Sequence, residues 1–381
     1  MTLPIHSELG ASQMSRWDAC PGSVTLSREL ANIASEYAAE GTAAHEVAAF
    51  CLKDGSDPMD QVGNVLHVEG FDIEVTEEMA KAVQVYLDVV RQDADGPDFV
   101  ERFIEHRFHL KDVHEGLYGT ADCVQMYINK GLLRVYDYKH GAGVAVNATD
   151  NKQLKYYGLG ALISSGMPAT DVELIIVQPR CFHPEGPVRR QRIPALELVE
   201  FAADLLDAVK RTEAKDAPLV AGEHCRWCRA SGICPELRKQ AQERSRVDFR
   251  PEVTYDPEML AETLEWLPAL EGWIKSVRAF SYAEAQRGVP VPRHKLVDKL
   301  ARRKWKHDDH TTEIELAKLG ITESEVFKPR TLASPADIDK VLKKRKGEIE
   351  PLVTKESSGT VLVHDTDPRE VHKNDAASDF K

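Results

Sequence analysis

The sequence predicts an α/β protein with a mixed central sheet flanked by helices. Apolar residues within residues 99–193 alternate or form short continuous runs, as strands do, whereas the segments on either side show helical spacing. The chain has 381 residues, of which 42% are hydrophobic and 29% charged, an ordinary composition for a folded protein. Its length predicts two or three domains.

Composition and charge limit the location and the partners of the protein. No stretch of 18 apolar residues is present, and residues 1–10 lack the basic and apolar regions of a secretory signal. The net charge of −13 excludes a uniformly basic surface but allows a local basic groove for nucleic acid. Seven cysteines without a signal peptide favour a reducing compartment over a disulfide framework. We therefore expect a cytoplasmic protein without membrane contact.

The chain divides into four predicted regions. An N-terminal helical part and a core with a cysteine cluster come first, followed by a mostly helical accessory region and a disordered tail. Their bounds are residues 1–98, 99–245, 250–365 and 366–381.

The elements of the first two regions follow from periodicity and from breaker residues. The N-terminal helices are predicted at residues 23–30, 42–52 and 77–93, and Thr42 has the residue type of an N-cap. Strands are predicted at residues 99–110, 119–128, 132–138, 172–178 and 188–193. Helices are predicted at residues 149–164, 194–215 and 256–289.

A hairpin in the middle of the chain carries the strongest chemical signal. Its turn is the Asn-Lys-Gly sequence at residues 129–131. With a two-residue loop, Asp122 lies directly across from Asp137, with the two Cβ atoms about 5 Å apart. A bulge in the turn would instead place Asp122 opposite Tyr138, but the apolar pattern favours the first register.

The open end of this hairpin has the residue types of a metal-dependent hydrolase. Lys139 shares the face of Asp137, because side chains alternate along a strand. Two neighbouring carboxylates repel each other unless a cation lies between them, and Mg²⁺ can bind both while keeping waters. Lys139 could then orient or deprotonate a water or stabilise developing charge. The alternative is a surface hairpin with a cross-strand salt bridge.

Three residues outside the hairpin complete a recognisable order along the chain. His45 lies near the start of an N-terminal helix, and Gln153 and Tyr157 share one face of the helix after the hairpin. Together with the two aspartates and the lysine, this order resembles the RecB-like branch of the PD-(D/E)XK nuclease superfamily. The resemblance covers residues 15–240. It implies a restriction-endonuclease-like core and hydrolysis of DNA with Mg²⁺ or Mn²⁺.

The resemblance also implies a set of metal ligands. Asp122 and Asp137 would be the two metal carboxylates, and His45 would be the additional metal-binding histidine of this branch. Glu105 lies where several relatives have another acidic residue near the metals. No proline precedes Asp122, a position that is loosely kept in the branch.

The same resemblance assigns the remaining catalytic residues. Lys139 would be the catalytic lysine. Gln153 and Tyr157 would form the Gln-x-x-x-Tyr motif that helps to place the DNA and the lysine.

A second cluster lies near the end of the core, where Cys225, Cys228 and Cys234 form a C-x₂-C-x₅-C pattern. A zinc site or a [4Fe–4S] cluster needs a fourth ligand, and His224 is poorly placed because it adjoins Cys225. Cys20, in a turn rich in small residues, is the best candidate. A zinc knuckle and three buried thiols are the alternatives.

The four cysteines together resemble those of iron–sulfur RecB-like nucleases, among them the AddB nuclease domain and the CRISPR-adaptation nucleases. The resemblance implies an iron–sulfur staple, meaning a [4Fe–4S] cluster that joins the N-terminal helices to the end of the core. The other three cysteines are predicted to be buried apolar residues: Cys51, Cys123 and Cys181.

The C-terminal region contains a local reversal of charge. Residues 293–306 carry seven Lys or Arg and one Asp. The DNA-contact candidates among them are Arg302, Arg303, Lys304 and Trp305. A solvated charged face is the alternative for these residues, and it is the preferred interpretation for the basic run at residues 343–346.

Taken whole, the chain resembles an uncharacterised phage and prophage family of these nucleases that is often found beside single-strand annealing proteins. This implies a DNA exonuclease that resects ends in recombination or replication, with an annealing protein as a partner, in the cytoplasm of a bacterial host. The alternative is a non-catalytic DNA-binding or adaptor module with a zinc or iron–sulfur site. The complete set of two aspartates and a lysine argues against that alternative.

Overall fold

The computed structural model describes residues 7–30, 35–94, 96–248, 257–297 and 309–319. It confirms the mixed α/β class, with a five-stranded mixed sheet flanked by helices. The chain forms two compact units, residues 1–296 and residues 297–381. The described part of the second unit includes the helix Asp309–Lys318. The predicted DNA contacts at residues 302–305, the basic run at 343–346 and the tail at 366–381 lie outside the described residues.

Helices α1 to α4 precede the sheet. They span Met14–Ala19, Ser23–Ser27, Glu36–Asp54 and Glu77–Ala94. The prediction of Thr42 as an N-cap is wrong. Helix α3 begins earlier because the Ser35 hydroxyl caps it by accepting a hydrogen bond from the amide of Ala38, and Thr42 Oγ1 donates to the Ala38 carbonyl inside the helix.

A short hairpin between α3 and α4 was not predicted. Strands β1 (Val65–Val68) and β2 (Phe71–Glu74) pair antiparallel. Both turn residues, Glu69 and Gly70, have positive φ angles of 50° and 88°, as in the type I′ turns of two-residue hairpins. A Glu-Gly turn between strands of four residues gives a weak sequence signal.

The five-stranded sheet has its strands in the order of the sequence. They are β3 (Glu101–His109), β4 (Tyr118–Tyr127), β5 (Leu132–Tyr138), β6 (Asp171–Val177) and β7 (Val188–Pro194). The pairing of β5 with β6 is parallel and every other pairing is antiparallel. The crossover between β5 and β6 contains helix α5 (Lys152–Ser165), which is capped by the Asn151 side chain.

The chain after the sheet is helical. Helix α6 (Ala195–Glu213) follows β7 directly, and helices α7 (Pro235–Asp248) and α8 (Pro257–Gln286) come later. A 3₁₀ helix (Glu223–Trp227) lies between α6 and α7 and contains Cys225. Within the described residues, no helix is both long and apolar enough to cross a membrane.

The predicted register of the central hairpin is confirmed. Val124 pairs with Val135 and Cys123 with Tyr136, which makes Asp122 and Asp137 the next opposed positions. The prediction of a two-residue loop is wrong. The β4–β5 ladder ends one residue pair earlier than predicted, and residues 128–130 form a 3₁₀ turn. No residue is inserted into either strand, so the register is unaffected.

Each face of the sheet packs on its own hydrophobic core. Val124 and Val135 belong to the core shared with α1, α5 and α6, whereas Tyr136 and Tyr138 belong to the core shared with α3 and α4. Helix α5 approaches the sheet closely at Gly160, where a Cβ atom would lie 2.3 Å from the Phe108 ring. Because both faces are covered, the polar residues of β4 and β5 emerge where the strands end.

Candidate metal centre

Two carboxylates lie at the open end of the central hairpin. Asp122 is carried by β4 and Asp137 by β5. The Asp122 Oδ2 atom accepts a hydrogen bond from the backbone N–H of Tyr138 at 2.7 Å, so its orientation is fixed by the sheet itself. The two side chains are 16% and 4% exposed, respectively. The predicted aspartate pair is therefore brought together in a largely buried setting.

His45 and Glu105 join Asp122 to form a group that could hold a metal ion. One ligand atom from each of the three residues lies within 4.8 Å of the other two. His45 projects from α3, and its Nδ1 atom lies 3.3 Å from Asp122 Oδ1. Glu105 comes from β3. Among the described residues this is the only such group of His, Cys, Asp or Glu side chains.

Glu105 has an unusual backbone conformation for a strand residue. Its φ angle is 54°, in a region that residues other than glycine seldom adopt. The ladder between β3 and β4 pairs Ile104 with Cys123 and His106 with Ala121, but omits Glu105 and Asp122 between them. The interruption falls at the one place where the two acidic residues face each other. Such local strain is concentrated at functional sites in proteins.

The surroundings of the centre lower the pKa of Asp122 and raise the pKa of Asp137. Burial favours a neutral Asp122, but the His45 ring and the Tyr138 N–H outweigh it and lower the pKa of that carboxyl. Burial and the charge of Asp122 raise the pKa of Asp137, although Lys139 opposes the rise. Burial also opposes a charged His45, but Asp122 outweighs it and raises the pKa of the imidazole.

Lys139, Gln153 and Tyr157 form a connected chain beside the carboxylates. Lys139 Nζ lies 2.8 Å from Asp137 Oδ2 and 3.1 Å from Gln153 Oε1. Gln153 Nε2 in turn donates to the Tyr157 hydroxyl at 3.0 Å, across one turn of α5. The structure thus brings the lysine and the Gln-x-x-x-Tyr pair together. Gln153 and Asp137 hold the ammonium from two sides.

A buried polar network behind Lys139 was missed by the sequence analysis. His140 is 4% exposed, and its ring contacts the Tyr138 hydroxyl at 2.9 Å and Arg180 Nη1 at 2.6 Å. Arg180 also pairs with Glu40 at 2.8 Å. Burial and the neighbouring guanidinium lower the pKa of His140. The network fixes the residues on both sides of Lys139 along the chain.

This network could have been predicted only from the order of the strands in the sheet. Strands β5 and β6 are parallel, so their carboxyl ends meet at one edge of the sheet. Residues just after each strand, His140 and Arg180, are therefore placed side by side. Predicting this would have required knowing that the two strands are neighbours.

The donor atoms at the centre fit a divalent metal of the Mg²⁺ or Mn²⁺ type. Carboxylate oxygens are the ligands that both ions accept, and an imidazole nitrogen favours Mn²⁺. Asp137 Oδ2 is buried and accepts no hydrogen bond from the described residues, apart from its ion pair with Lys139. That oxygen could therefore also coordinate a metal ion held by His45, Glu105 and Asp122.

The chain around the C-x₂-C-x₅-C pattern, residues 217–234, is called the cysteine segment. It lies against the N-terminal turn, residues 20–23. Cys20 Sγ accepts a hydrogen bond from the Val220 amide at 3.3 Å, and the Gly22 amide donates to the Pro218 carbonyl at 2.9 Å. His224 Nε2 contacts the Val220 carbonyl at 2.8 Å, and the neighbouring thiols of Cys20 and Cys225 raise the pKa of its imidazole to about 10. Cys20 thus contacts Val220, which lies 200 residues away in the sequence and shortly before Cys225.

Among the described residues, no three of the four cysteine sulfurs all lie within 4.8 Å of one another. Of the other cysteines, Cys51 and Cys123 are buried as predicted, but Cys181 is partly exposed. The prediction for Cys181 is wrong because the residue follows the end of β6.

The fold and this site define an α/β protein with a candidate divalent-metal centre at one end of a mixed sheet. The chain belongs to the family described as "Protein of unknown function (DUF2800)", which matches residues 6–370. Among solved structures, the chain is similar to protein VC1899 from Vibrio cholerae, with 14% identity and a TM-score of 0.19. That match covers 58% of this chain and 56% of the other protein.

Proposed function

We propose that this protein is a metal-dependent DNA exonuclease of the RecB-like PD-(D/E)XK type. The observation that carries the proposal is the convergence of His45, Glu105 and Asp122 within 4.8 Å, beside a lysine that is ion-paired to Asp137. Four elements separated in sequence supply these side chains. A surface hairpin with a simple salt bridge would not require the buried Asp137 or the interrupted strand at Glu105.

The residues of the centre have distinct roles in the proposed reaction. A water oxygen forms a new bond to phosphorus, the bond from phosphorus to the leaving sugar oxygen breaks, and that oxygen gains a proton. His45, Glu105, Asp122 and Asp137 would hold one or two Mg²⁺ or Mn²⁺ ions, which lower the pKa of water and neutralise charge when bound.

Lys139 acts directly on the reacting phosphate in this proposal. Its ammonium is held by Asp137 and Gln153, so it needs little rearrangement to stabilise the charge that develops on the phosphate oxygens. Tyr157 positions Gln153 and therefore acts through it. His140 and Arg180 position the strand end that carries Lys139.

The cysteine segment is proposed to hold a [4Fe–4S] cluster through Cys20, Cys225, Cys228 and Cys234. Each cysteine would bind a different iron atom, so the sulfurs need not converge on one point as they do around a single zinc ion. The cluster would join the N-terminal helices to the end of the core.

The proposed role is the resection of DNA ends, with a phage single-strand annealing protein as a partner. Anaerobically purified protein should release labelled nucleotides from linear DNA in Mg²⁺ or Mn²⁺ and leave a circle of the same sequence intact. Lys139→Ala should abolish release while DNA binding and folding are kept, because the lysine acts on the transition state. Parental activity in Lys139→Ala would refute the site assignment. DNA binding without cleavage by the parental protein would instead support the adaptor alternative.

A further inference from the structure

A groove of about 670 Å³ extends from Lys139, beside the candidate metal centre, to Arg226 and Trp227. Lys139 and Gln153 line it together with Arg226 and Trp227. Its volume is in the range of about 300–1,000 Å³ that is typical of ligand sites. The same depression therefore reaches the residue proposed to act on the phosphate and an aromatic residue far from it in the sequence.

Trp227 is unusually exposed for a tryptophan. Its side chain is 69% exposed, and the guanidinium of Arg226 lies 5.1 Å from the centre of its ring. Because the residue lies between Cys225 and Cys228 in the 3₁₀ segment, its backbone is held by the same turn that presents those cysteines.

The opposite wall of the groove is held in place by hydrogen bonds of a buried glutamine, Gln178. Gln178 is 2% exposed, and its side-chain amide donates to the carbonyls of Gly141 and Val144 at 3.0 and 2.8 Å. Its oxygen accepts hydrogen bonds from Val146 N–H and from Arg189. The loop after β5 is thus fixed, so the groove does not have to be created by the ligand.

A second hollow of about 530 Å³ shares Arg226 and Trp227 with the groove. Two more tryptophans of α8, Trp266 and Trp273, line it. Three tryptophans therefore line this hollow, and one of them, Trp227, also lines the groove. The hollow also contains Glu223 and Glu265, whose charges disfavour phosphates. Flat uncharged groups, rather than phosphates, suit this end.

We propose that the groove binds an unpaired DNA strand, with one base stacked on Trp227 and the adjoining phosphate directed to Lys139. Aromatic platforms beside cationic side chains are how proteins hold single strands without reading sequence. Bases in a duplex are stacked on one another and cannot use such a platform. The inference rests on the proposed nuclease function and narrows its substrate to a single-stranded end.

The test measures binding without cleavage, so that it does not depend on the nuclease proposal. The probes are a labelled twelve-nucleotide thymidine strand and a matched duplex, titrated by fluorescence anisotropy with the full chain and no added divalent metal. Trp227→Ala should weaken single-strand binding about tenfold and duplex binding less than twofold. Trp227→Phe should retain most of the affinity, because it keeps an aromatic face.

A control variant distinguishes the stacking of a base on Trp227 from the effect of removing any exposed aromatic side chain. Phe182 is 74% exposed and does not line the groove, so Phe182→Ala should bind the single strand as the parental protein does. Iron content is matched among the proteins, since Trp227 adjoins two of the proposed cluster ligands. Unchanged single-strand affinity in Trp227→Ala, or an equal loss for strand and duplex, would overturn the inference. A protein that binds through Trp227 but never cleaves would refute the nuclease proposal alone.

Discussion

The metal centre and the cysteine segment are assembled in different ways. At the centre, the sheet register places Asp122 beside Asp137, and a backbone N–H fixes one of the carboxylates. In the cysteine segment, loops and a short 3₁₀ turn supply the cysteines, and Cys20 is brought near them by the packing of the N-terminal turn against residues 217–220. The first site depends on hydrogen-bonded strands and the second on a contact between distant loops. Substitutions should therefore affect chemistry at the first and folding at the second.

The largest effect is expected at the carboxylates. Asp122→Asn and Asp137→Asn should each lower DNA cleavage by roughly 1,000-fold or more, because an amide is a poor substitute for an anionic metal ligand. The double variant should lose little more than either single variant, since both serve one site. Rates of nucleotide release measure this. Asp72→Asn, an exposed carboxylate on β2, is the control and should cleave normally.

Strictly additive losses in the double variant would show that the two aspartates work independently. The end of the sheet would then contain two separate sites, one for each aspartate.

Cys20→Ser should affect stability and iron together. If the cluster holds the N-terminal turn on the core, losing one ligand should remove the brown chromophore and most of the iron, and should lower the melting temperature markedly. Iron analysis and thermal unfolding under anaerobic conditions report both quantities. Cys51→Ser, a buried cysteine of α3 outside the segment, should keep its iron. Full iron and sulfide in Cys20→Ser would point to a local ligand such as His224.

Gly22→Ala tests the loop contact without touching any proposed ligand. A Cβ atom at Gly22 would lie 2.5 Å from the Ala217 carbonyl oxygen, so the turn would have to move away from the cysteine segment. We expect a loss of about 1–3 kcal/mol in the free energy of unfolding, measured with urea. At Gly41, in α3, an added Cβ meets no other described atom within 4 Å. Gly41→Ala should therefore stabilise the protein by up to ~1 kcal/mol. A neutral Gly22→Ala would mean that the contact is loose.

The smallest effect concerns Asp18, which ties α1 to α5 and α6 through Lys152 and Arg211. Burial opposes its charge, but the two cations outweigh it and lower the pKa of Asp18. Its charge therefore adds stability above the unfolded-state pKa of about 3.9, and this contribution disappears as the pH falls through the lower folded-state pKa.

Asp18→Asn should accordingly lower the free energy of unfolding by about 1 kcal/mol at pH 7, with the difference narrowing below about pH 4. Urea unfolding from pH 7 to pH 3 checks this. Asp207→Asn, whose side chain is 74% exposed, should change little at any pH. A pH-independent difference for Asp18→Asn would assign the effect to packing.

The hairpin was predictable because its geometry is local. A turn signal and an apolar stripe determine its register, and the register brings Asp122 to Asp137 even though the loop has a different length from the one predicted. Cys20 was chosen as the partner of the cysteine segment from its turn context and from the resemblance, because no periodic pattern links residues so far apart.

Other features depend on tertiary neighbours and leave no local trace. The left-handed backbone of Glu105 occurs where the β3–β4 ladder omits the pair of Glu105 and Asp122, and the contact of His140 with Arg180 follows from the parallel pairing of β5 and β6. The exposure of Trp227 depends on which surfaces pack around the 3₁₀ segment. The start of α3 at Glu36 depended on choosing Ser35 over Thr42 as the cap, where both residues have suitable side chains.

The central claim is that His45, Glu105 and Asp122 form a divalent-metal site. Titration of the metal-depleted full chain with Mn²⁺, followed by the electron paramagnetic resonance signal of the free ion, tests it without DNA or cleavage. The account predicts that the parental protein removes Mn²⁺ from solution, that Asp122→Asn binds it at least ~10-fold more weakly, and that Asp72→Asn is unaffected. Equal Mn²⁺ affinity in Asp122→Asn and the parental protein would contradict it.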